Sequence, residues 1–284
     1  MRYPTIVVAA YNRPKSLARI LSSVGNADYA GYPSVNLIVS LDGGGGHEVA
    51  GIADTFEWKH GEKRIIGHPG NLGLRKHILS CGDLTCTYGS VIILEDDCFV
   101  SRNFYDFAVK ALDYYGNDER LAGISLYSHR FNENAGMPFM HLNDGNGVFF
   151  MQVPTSLGQV WTRQHWKGFR EYYDQSVVVS EEDDLPENVK GWPESSWKKY
   201  FYKYITEKDL YFVYPYESFI TNFGDVGTHC TGQTQVVQVP IEAGRMEKQY
   251  KFVPFDESNQ KYDGYFEMLP ECLRSYGVRI DPSC

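Results

Sequence analysis

The chain has 284 residues, 43% of them hydrophobic and 15% aromatic, so it can bury a large core and disorder is not expected. Its 36 acidic residues outnumber the 27 basic ones and give a net charge of −9. This charge argues against a nucleic-acid partner, because binding along a phosphate backbone needs a basic surface.

The six cysteines form no C-x-x-C pair, which argues against a zinc site or a disulfide scaffold and favours a reducing compartment. No apolar run approaches the roughly 18 residues of a membrane span, and the first five residues lack the apolar region of a signal peptide. We therefore expect a cytoplasmic protein without a transmembrane segment.

The chain begins with the pattern of a buried strand followed by a helix. Residues 5 to 11 are mostly apolar and predict the strand, and the apolar residues between 17 and 24 recur at helical spacing. Asn12 is predicted to cap the helix and Pro14 to lie in its first turn. The amino end of this helix, which attracts anions, should therefore lie beside the carboxyl edge of the sheet.

Residues 35 to 41 predict a second strand, which ends at Asp42 and a run of four glycines, residues 43 to 46. The glycines suggest a flexible loop whose backbone a ligand can approach. Residues 64 to 67 predict a third strand. The next helix carries Arg75 and Lys76 in its first turns, where basic side chains oppose the helix dipole. Such local conflicts often mark functional positions.

Residues 91 to 94 form an apolar run that ends in three consecutive carboxylates, Glu95, Asp96 and Asp97. The run is typical of a strand buried in a parallel sheet, whose carboxyl end is where such sheets bind ligands. Asp42 should lie level with these acids. Because neighbouring carboxylates repel one another and are costly to desolvate, they indicate a divalent cation shared with a ligand's phosphates.

The strand and helix patterns of the first half alternate, which predicts an α/β fold with a mostly parallel, Rossmann-like central sheet flanked by helices. The second half is less regular. Its predicted strands are residues 121 to 127, 147 to 153, 211 to 214 and 236 to 239; its predicted helices are residues 162 to 173 and 196 to 206, with a long loop at 129 to 146. The helix predicted at residues 104 to 115 belongs to the first half.

Four motifs resemble those of GT-A-fold glycosyltransferases. Residues 8 to 14, V-A-A-Y-N-R-P, are similar to the donor-binding start of family-2-type bacterial enzymes. The E-D-D segment with N-F-Y at 103 to 105 resembles the metal-binding element of the animal N-acetylglucosaminyltransferase that initiates complex N-glycans. S-L-G-Q-V-W at 156 to 161 resembles the acceptor-side stretch of related bacterial enzymes, and G-T-H-C at 227 to 230 resembles their loop of the same sequence.

The resemblance implies one GT-A domain over residues 1–232, with a nucleotide-sugar-binding half at 1–128 and an acceptor-side half at 129–232. Residues 233–284 would be an extension packed on the same domain. The implied activity is metal-dependent transfer of a sugar from a nucleotide-diphosphate sugar to a hydroxyl of a glycan, with inversion. A lipid-linked acceptor would imply peripheral membrane contact.

The resemblance also implies roles for residues. Asp97 would be the direct ligand of Mn²⁺ or Mg²⁺, and Asp96 and Glu95 would orient sugar or ribose hydroxyls. His229 would be a second metal ligand, or would close with Thr228 over the phosphates. Asp42 would contact the base or ribose, and Arg13, Arg75 and Lys76 are candidate diphosphate contacts. The remaining expected donor contacts are Ala10, Tyr11, Asn12 and Asn71.

Gly158 and Trp161 are the implied acceptor contacts. In the animal enzyme the acidic residues follow a W-P-x-x-x-W segment, which is present here as residues 192 to 197, but two lysines follow it. Glu194, inside the segment, is the candidate base, and Asp225 is the alternative.

Two other functions remain open. A sugar nucleotidyltransferase would also be an α/β protein with metal-binding acids, although the Gly-rich signature that usually follows its first strand is absent here. A nucleotide-sugar-binding module without catalysis is the other alternative, because the base is not placed.

Overall fold

The computed structural model describes residues 3–227, 236–243 and 249–279. Its main feature is a central sheet of nine strands in the order β13-β9-β11-β6-β10-β4-β1-β2-β3. The strands are, in chain order, β1 (Thr5–Ala10), β2 (Leu37–Leu41), β3 (Lys63–Gly67), β4 (Ser90–Glu95), β5 (Cys98–Val100), β6 (Leu121–Ser125), β7 (Phe131–Asn132), β8 (Met137–Pro138), β9 (Val148–Met151), β10 (Gln159–Thr162), β11 (Tyr211–Pro215), β12 (Ile220–Asn222) and β13 (Lys261–Tyr262).

Five of the eight pairings in this sheet are parallel. Strand β1 lies between β2 and β4 and is parallel to both, so the carboxyl ends of these three strands meet at one edge. The predicted α/β fold with a mostly parallel central sheet is confirmed.

Helices cover both faces of the sheet. One core contains apolar residues of α1, α2 and α5, and the other contains those of α3, α6 and α8. The helices are α1 (Pro14–Gly25), α2 (His47–Thr55), α3 (Gly73–Asp83), α4 (Thr85–Tyr88), α5 (Phe104–Tyr115), α6 (Arg163–Tyr173), α7 (Glu187–Lys190), α8 (Trp197–Glu207) and α9 (Pro270–Ser275), with a short 3-10 helix at Phe255–Glu257.

The two cores follow from the alternation of side chains along a strand. In β1, Ile6 and Val8 belong to the first core, and Val7 and Ala9 belong to the second. A central strand therefore buries side chains on both of its faces, and most of its positions are apolar. For this reason the continuous apolar runs in the sequence predicted the parallel strands β1, β2 and β4 correctly.

Other features differ from the prediction. The prediction lacked β10, an antiparallel strand that lies between β4 and β6, and it also lacked α2. Residues 236 to 239 contain a turn and no strand. The residue that caps α1 is Arg13, not Asn12, and it makes no side-chain capping bond, although Pro14 does lie in the first turn.

The segment after residue 233 contributes β13, which pairs in parallel with β9 at the edge of the sheet. In the small second sheet, β5 pairs with β12, so that the chain just after the E-D-D acids lies beside residues 220 to 222. None of the helices in the described residues is long and apolar enough to cross a membrane.

Two buried histidines make the stability of the fold depend on pH. Burial lowers the pKa of His129 to about 3 and that of His165 to about 4. In the unfolded chain each imidazole would bind a proton near pH 6.5. The stabilising contribution of the buried, neutral imidazoles should therefore be complete above pH 6.5 and be lost as the pH falls from 6.5 toward 4. Each histidine contributes up to about 1.4 kcal/mol per pH unit in this window.

Denaturant unfolding between pH 7.5 and 4.5 measures this slope. A free energy of unfolding that stays level across the interval would contradict the assignment of these two histidines as buried and neutral.

Candidate functional site

A cavity of about 340 Å³ opens where β1, β2 and β4 end. The structure brings ten of the residues singled out in the sequence to this cavity: Ala10, Tyr11, Asn12, Arg13, Asp42, Asn71, Glu95, Asp96, Asp97 and Asp225. Seven further residues complete its wall: Ala9, Gly73, Leu74, His77, Ile78, Ser195 and Gly227. β1, β2 and β4 are parallel neighbours in the sheet, and their carboxyl ends meet at one edge. Segments that are far apart in the chain therefore come together here.

Asp42 holds the first turn of α3 in place. Asp42 is only 6% exposed. Its carboxylate accepts hydrogen bonds from the backbone amides of Gly43 at 2.8 Å, Leu72 at 2.7 Å and Gly73 at 3.1 Å. These bonds tie the loop after β2 to the start of α3, so Asp42 shapes one wall of the cavity.

The glycines after Asp42 are needed for close packing of backbone against backbone. A Cβ atom on Gly43 would lie 2.2 Å from the carbonyl carbon of Gly70, and one on Gly45 would lie 1.7 Å from the carbonyl oxygen of Tyr11. A side chain at either position would push these segments apart. The glycine run therefore has a packing role that the expectation of a flexible loop did not include.

Arg13 bridges two of the three consecutive acids. Its Nη1 donates to Asp97 Oδ2 at 2.9 Å, and its Nη2 donates to Asp96 Oδ1. The side chain of Asp96 is 4% exposed, that of Asp97 17% and that of Arg13 20%. One guanidinium thus joins the end of β1 to the end of β4 in a largely desolvated place.

Burial and mutual repulsion set the ionisation of these groups. Burial raises the pKa of Asp96, an effect that Arg13 opposes. Burial, together with the charges of Asp97 and Asp96, raises the pKa of Glu95 to about 8. Although burial disfavours its charge, the two aspartates raise the pKa of Arg13. The raised pKa values favour the neutral forms of Glu95 and Asp96, but the five carboxyl groups of the wall still outnumber its one arginine.

The acids fit a hard divalent cation. Within residues 3–227, 236–243 and 249–279, no group of three or more His, Cys, Asp and Glu side chains is arranged to hold a metal ion. Asp96 and Asp97 nevertheless offer adjacent carboxylates, and Mg²⁺-type ions bind through one or two carboxylates with waters and ligand phosphates. A cation here would need oxygens from the ligand itself.

Asp225 lies on the α1 side of the cavity. It accepts a hydrogen bond from Ser16 Oγ at 2.7 Å and is ion-paired with Arg19. Burial opposes ionisation, but the bonds from Arg19 and Ser16 lower its pKa. A Cβ atom on Gly227 would lie 3.0 Å from Arg13 Nη1, so the chain at Gly227 passes close to Arg13.

Two further residues singled out in the sequence, Thr228 and His229, lie outside the described residues.

Glu194 lies next to a wall residue, Ser195, but does not itself line the cavity. Its carboxylate accepts hydrogen bonds from Lys199 Nζ at 3.1 Å and from the Tyr200 hydroxyl. The bond from Tyr200, followed by that from Lys199, lowers the pKa of Glu194. Arg75 Nη1 donates to the same Tyr200 hydroxyl at 2.9 Å. Neither Arg75 nor the exposed Lys76 lines the cavity.

The two implied acceptor residues lie in the interior. Trp161 has no exposed surface and packs against Trp166 and Phe201 at ring-centroid distances of 4.6 and 5.6 Å. A buried ring does not touch a ligand, so the structure does not support direct contact between Trp161 and an acceptor. Gly158 is also buried, with a φ of +68°, and a Cβ there would lie 2.9 Å from that of Leu126.

Among the seven further wall residues, His77 is the titratable one that sequence reasoning missed. It lies one turn into α3, and its Nε2 is 2.8 Å from Ser40 Oγ. Burial lowers its pKa to about 4 despite the attraction of Asp42, so the cavity floor has a neutral imidazole at neutral pH. Its position four residues after Gly73, on the apolar side of the helix, was the available signal.

A comparison with protein-family models gives no match, and neither does one with curated proteins. Solved structures do match. TarS residues 1–349 from S. aureus in complex with UDP-GlcNAc is 11% identical, with a TM-score of 0.52 over 80% of this chain and 60% of that one. The mannosyltransferase PcManGT from Pyrobaculum calidifontis, in complex with GDP-Man and Mn²⁺, is 14% identical, with a TM-score of 0.41 over 66% and 50%.

A second crystal structure of S. aureus TarS residues 1–349 is 10% identical to this chain, with a TM-score of 0.49 over 76% of this chain and 59% of that one. The chain thus spans 50 to 60% of the length of these three structures. At such low identity the similarity concerns the fold, and the match to TarS with UDP-GlcNAc supports the α/β architecture described above.

Replacing Arg13 with alanine should remove the guanidinium group that pairs with both Asp96 and Asp97. We expect the free energy of unfolding to fall by about 1–3 kcal/mol, because the carboxylates stay largely buried. Added Mn²⁺ should then raise the melting temperature of Arg13→Ala more than that of the unaltered protein, which thermal unfolding with and without Mn²⁺ measures.

Arg120→Ala is the matched control, because Arg120 also pairs with two aspartates, Asp118 and Asp256. An equal Mn²⁺ response in both variants would contradict a cation site at Asp96 and Asp97.

Proposed function

We propose that the protein is a metal-dependent glycosyltransferase of the GT-A type, which moves a sugar from a nucleotide-diphosphate sugar to an acceptor hydroxyl with inversion. The observation that carries the proposal is the excess of carboxylates around Arg13 at the carboxyl ends of β1, β2 and β4. A diphosphate would be repelled by these acids unless a divalent cation accompanied it. An acceptor that is a glycan or is lipid-linked is part of the same proposal.

The resident residues divide the work of binding the donor. Asp97 would hold Mn²⁺ or Mg²⁺, and Glu95 and Asp96 would orient sugar or ribose hydroxyls of the donor. Asp42, which already positions the start of α3, places the wall against which the base or ribose lies. When bound, the cation neutralises charge on the departing diphosphate.

The reaction needs one proton acceptor. As the acceptor oxygen bonds to the sugar's anomeric carbon, the bond from that carbon to the diphosphate breaks, and the hydroxyl proton passes to a carboxylate of the protein. This carboxylate must lie across the sugar from the diphosphate. The nucleoside diphosphate leaves with the electron pair of the broken bond.

Glu194 and Asp225 are the two candidates for this base. Asp225 is tied to α1 through Ser16 and Arg19, on the side where Arg13 lies. Glu194 precedes α8, which packs against α3 in the other helical layer. Its side chain is 69% exposed, so an acceptor can reach it. We therefore assign the base role to Glu194, and Asp225 remains the alternative.

Asp97→Asn should reduce metal-dependent turnover of the donor by about 100-fold or more, since the change removes the charge that holds the cation. A panel of nucleotide-sugars with Mn²⁺, followed by release of nucleoside diphosphate, measures this. Asp54→Asn, the same change at an exposed position on α2, is the control. Full activity of Asp97→Asn, unaffected by chelator, would refute the metal role.

The same assay separates the alternatives. Pyrophosphate-dependent exchange into the donor would identify a nucleotidyltransferase, and donor binding without turnover would identify a binding module.

Glu194→Gln should lower kcat for transfer by about 100-fold or more while donor affinity changes little, because the amide cannot accept the proton. Glu182→Gln, at an exposed position of the neighbouring acidic turn, is the control. If Asp225→Asn shows this loss and Glu194→Gln does not, the base is Asp225.

A further inference from the structure

A second cavity, of about 290 Å³, lies beside the candidate site on the face of α3 and α8. Its wall consists of Arg75, Tyr173, Asp174, Ser176, Val177 and Tyr200. The two cavities are adjacent along the chain, because Leu74 lines the first and Arg75 the second. The structure therefore offers two neighbouring binding spaces with different side chains.

Hydrogen bonds connect this second cavity to the proposed base. Arg75 Nη1 donates to the Tyr200 hydroxyl at 2.9 Å, and that hydroxyl donates to Glu194. The residue after Glu194, Ser195, lines the first cavity. Glu194 is thus linked to both cavities, through its hydrogen bond from Tyr200 of the second and through its chain neighbour Ser195 of the first.

The charges of the second cavity favour an anion. Among the described residues Arg75 forms no direct salt bridge. Its hydrogen bond goes to the Tyr200 hydroxyl, whose ring lies 5.3 Å from the guanidinium, and its charge acts on Glu194 beyond that hydroxyl. The acid in the wall, Asp174, is ion-paired with Arg170 at 3.4 Å. Guanidinium groups without a carboxylate partner bind carboxylate and phosphate through paired hydrogen bonds.

Two tyrosines form the aromatic part of the wall. Tyr173 is half-buried, and its ring meets that of Tyr200 edge-on at a centroid distance of 5.4 Å. The guanidinium of Arg170 lies 5.6 Å from the centre of the Tyr173 ring, and that of Arg75 lies near the Tyr200 ring, so these rings are partners of two positive charges. Ser176 also belongs to the wall of this cavity. Its φ is +60°, a backbone conformation that residues with a side chain seldom adopt.

We propose that this second cavity is the acceptor subsite and that it selects an acceptor sugar carrying a negative charge, a carboxylate or a phosphate, through Arg75. The inference rests on the proposed function and names the substrate class of the same site. The sequence suggested Arg75 as a donor contact, but in this proposal it binds the acceptor. The acceptor's anion lies on Arg75 and its reacting hydroxyl lies toward Glu194.

The test compares three probes as acceptors and ligands: methyl β-glucuronide, glucose 6-phosphate and neutral methyl β-glucoside. Binding is followed by ligand-observed NMR, and transfer is followed with the donor found by the nucleotide-sugar panel. The unaltered protein should prefer one or both anionic probes over the neutral one. Comparison of the carboxylate with the phosphate probe identifies the anion.

Arg75→Met should reduce this preference, measured as the ratio of charged to neutral probe within one variant, by about 10- to 100-fold, the effect of losing a charged hydrogen bond. Arg75→Lys should restore part of it. The control is Arg64→Met, at an exposed position on β3. A preference that persists in Arg75→Met, or an equal loss for charged and neutral probes, would overturn the proposal.

The two proposals fail in different ways. Absence of donor binding and turnover would refute the glycosyltransferase function, whereas binding of the probes to the second cavity would still be measured directly. Normal donor hydrolysis without a preference for charged acceptors would refute the subsite alone.

Discussion

The ion pairs of Arg13 with Asp96 and Asp97 are the constraint around which the candidate site is built. They join the ends of two parallel strands, β1 and β4, at a place where three consecutive carboxylates would otherwise repel one another. Because the aspartates are nearly buried, a positive charge must accompany them. In this structure that charge comes from Arg13. In the proposed function, a divalent cation that accompanies a diphosphate would be the alternative partner of the same oxygens.

The glycine loop and Asp42 complete this arrangement on the other side of β1. The backbone contact between Gly43 and Gly70 and the hydrogen bonds of Asp42 to the amides of Leu72 and Gly73 hold α3 close to the strand ends. The same helix presents Leu74 to one cavity and Arg75 to the other. The position of α3 therefore determines how donor and acceptor would lie relative to each other in the proposed reaction.

Reasoning from the sequence was most successful where a strand is buried on both faces. Apolar runs such as that of β4 cannot alternate with polar residues, and the acids that follow them must lie at the sheet edge, so Asp42 and Asp97 were located correctly. It was least successful where tertiary packing decides. Trp161 belongs to a motif that suggested ligand contact, yet β10 runs antiparallel between two other strands, and this buries its ring.

The sequence by itself determined the α/β fold class, the parallel order of elements in the first half and the group of acids at the strand ends, because these depend on local periodicity and on chain reversals after short loops. The tertiary structure alone decided that Arg13 spans the two aspartates, that His77 forms the floor of the cavity and that Arg75 faces Tyr200. These contacts join residues far apart in the chain, and the direction of a long side chain depends on which charges and rings packing brings near it.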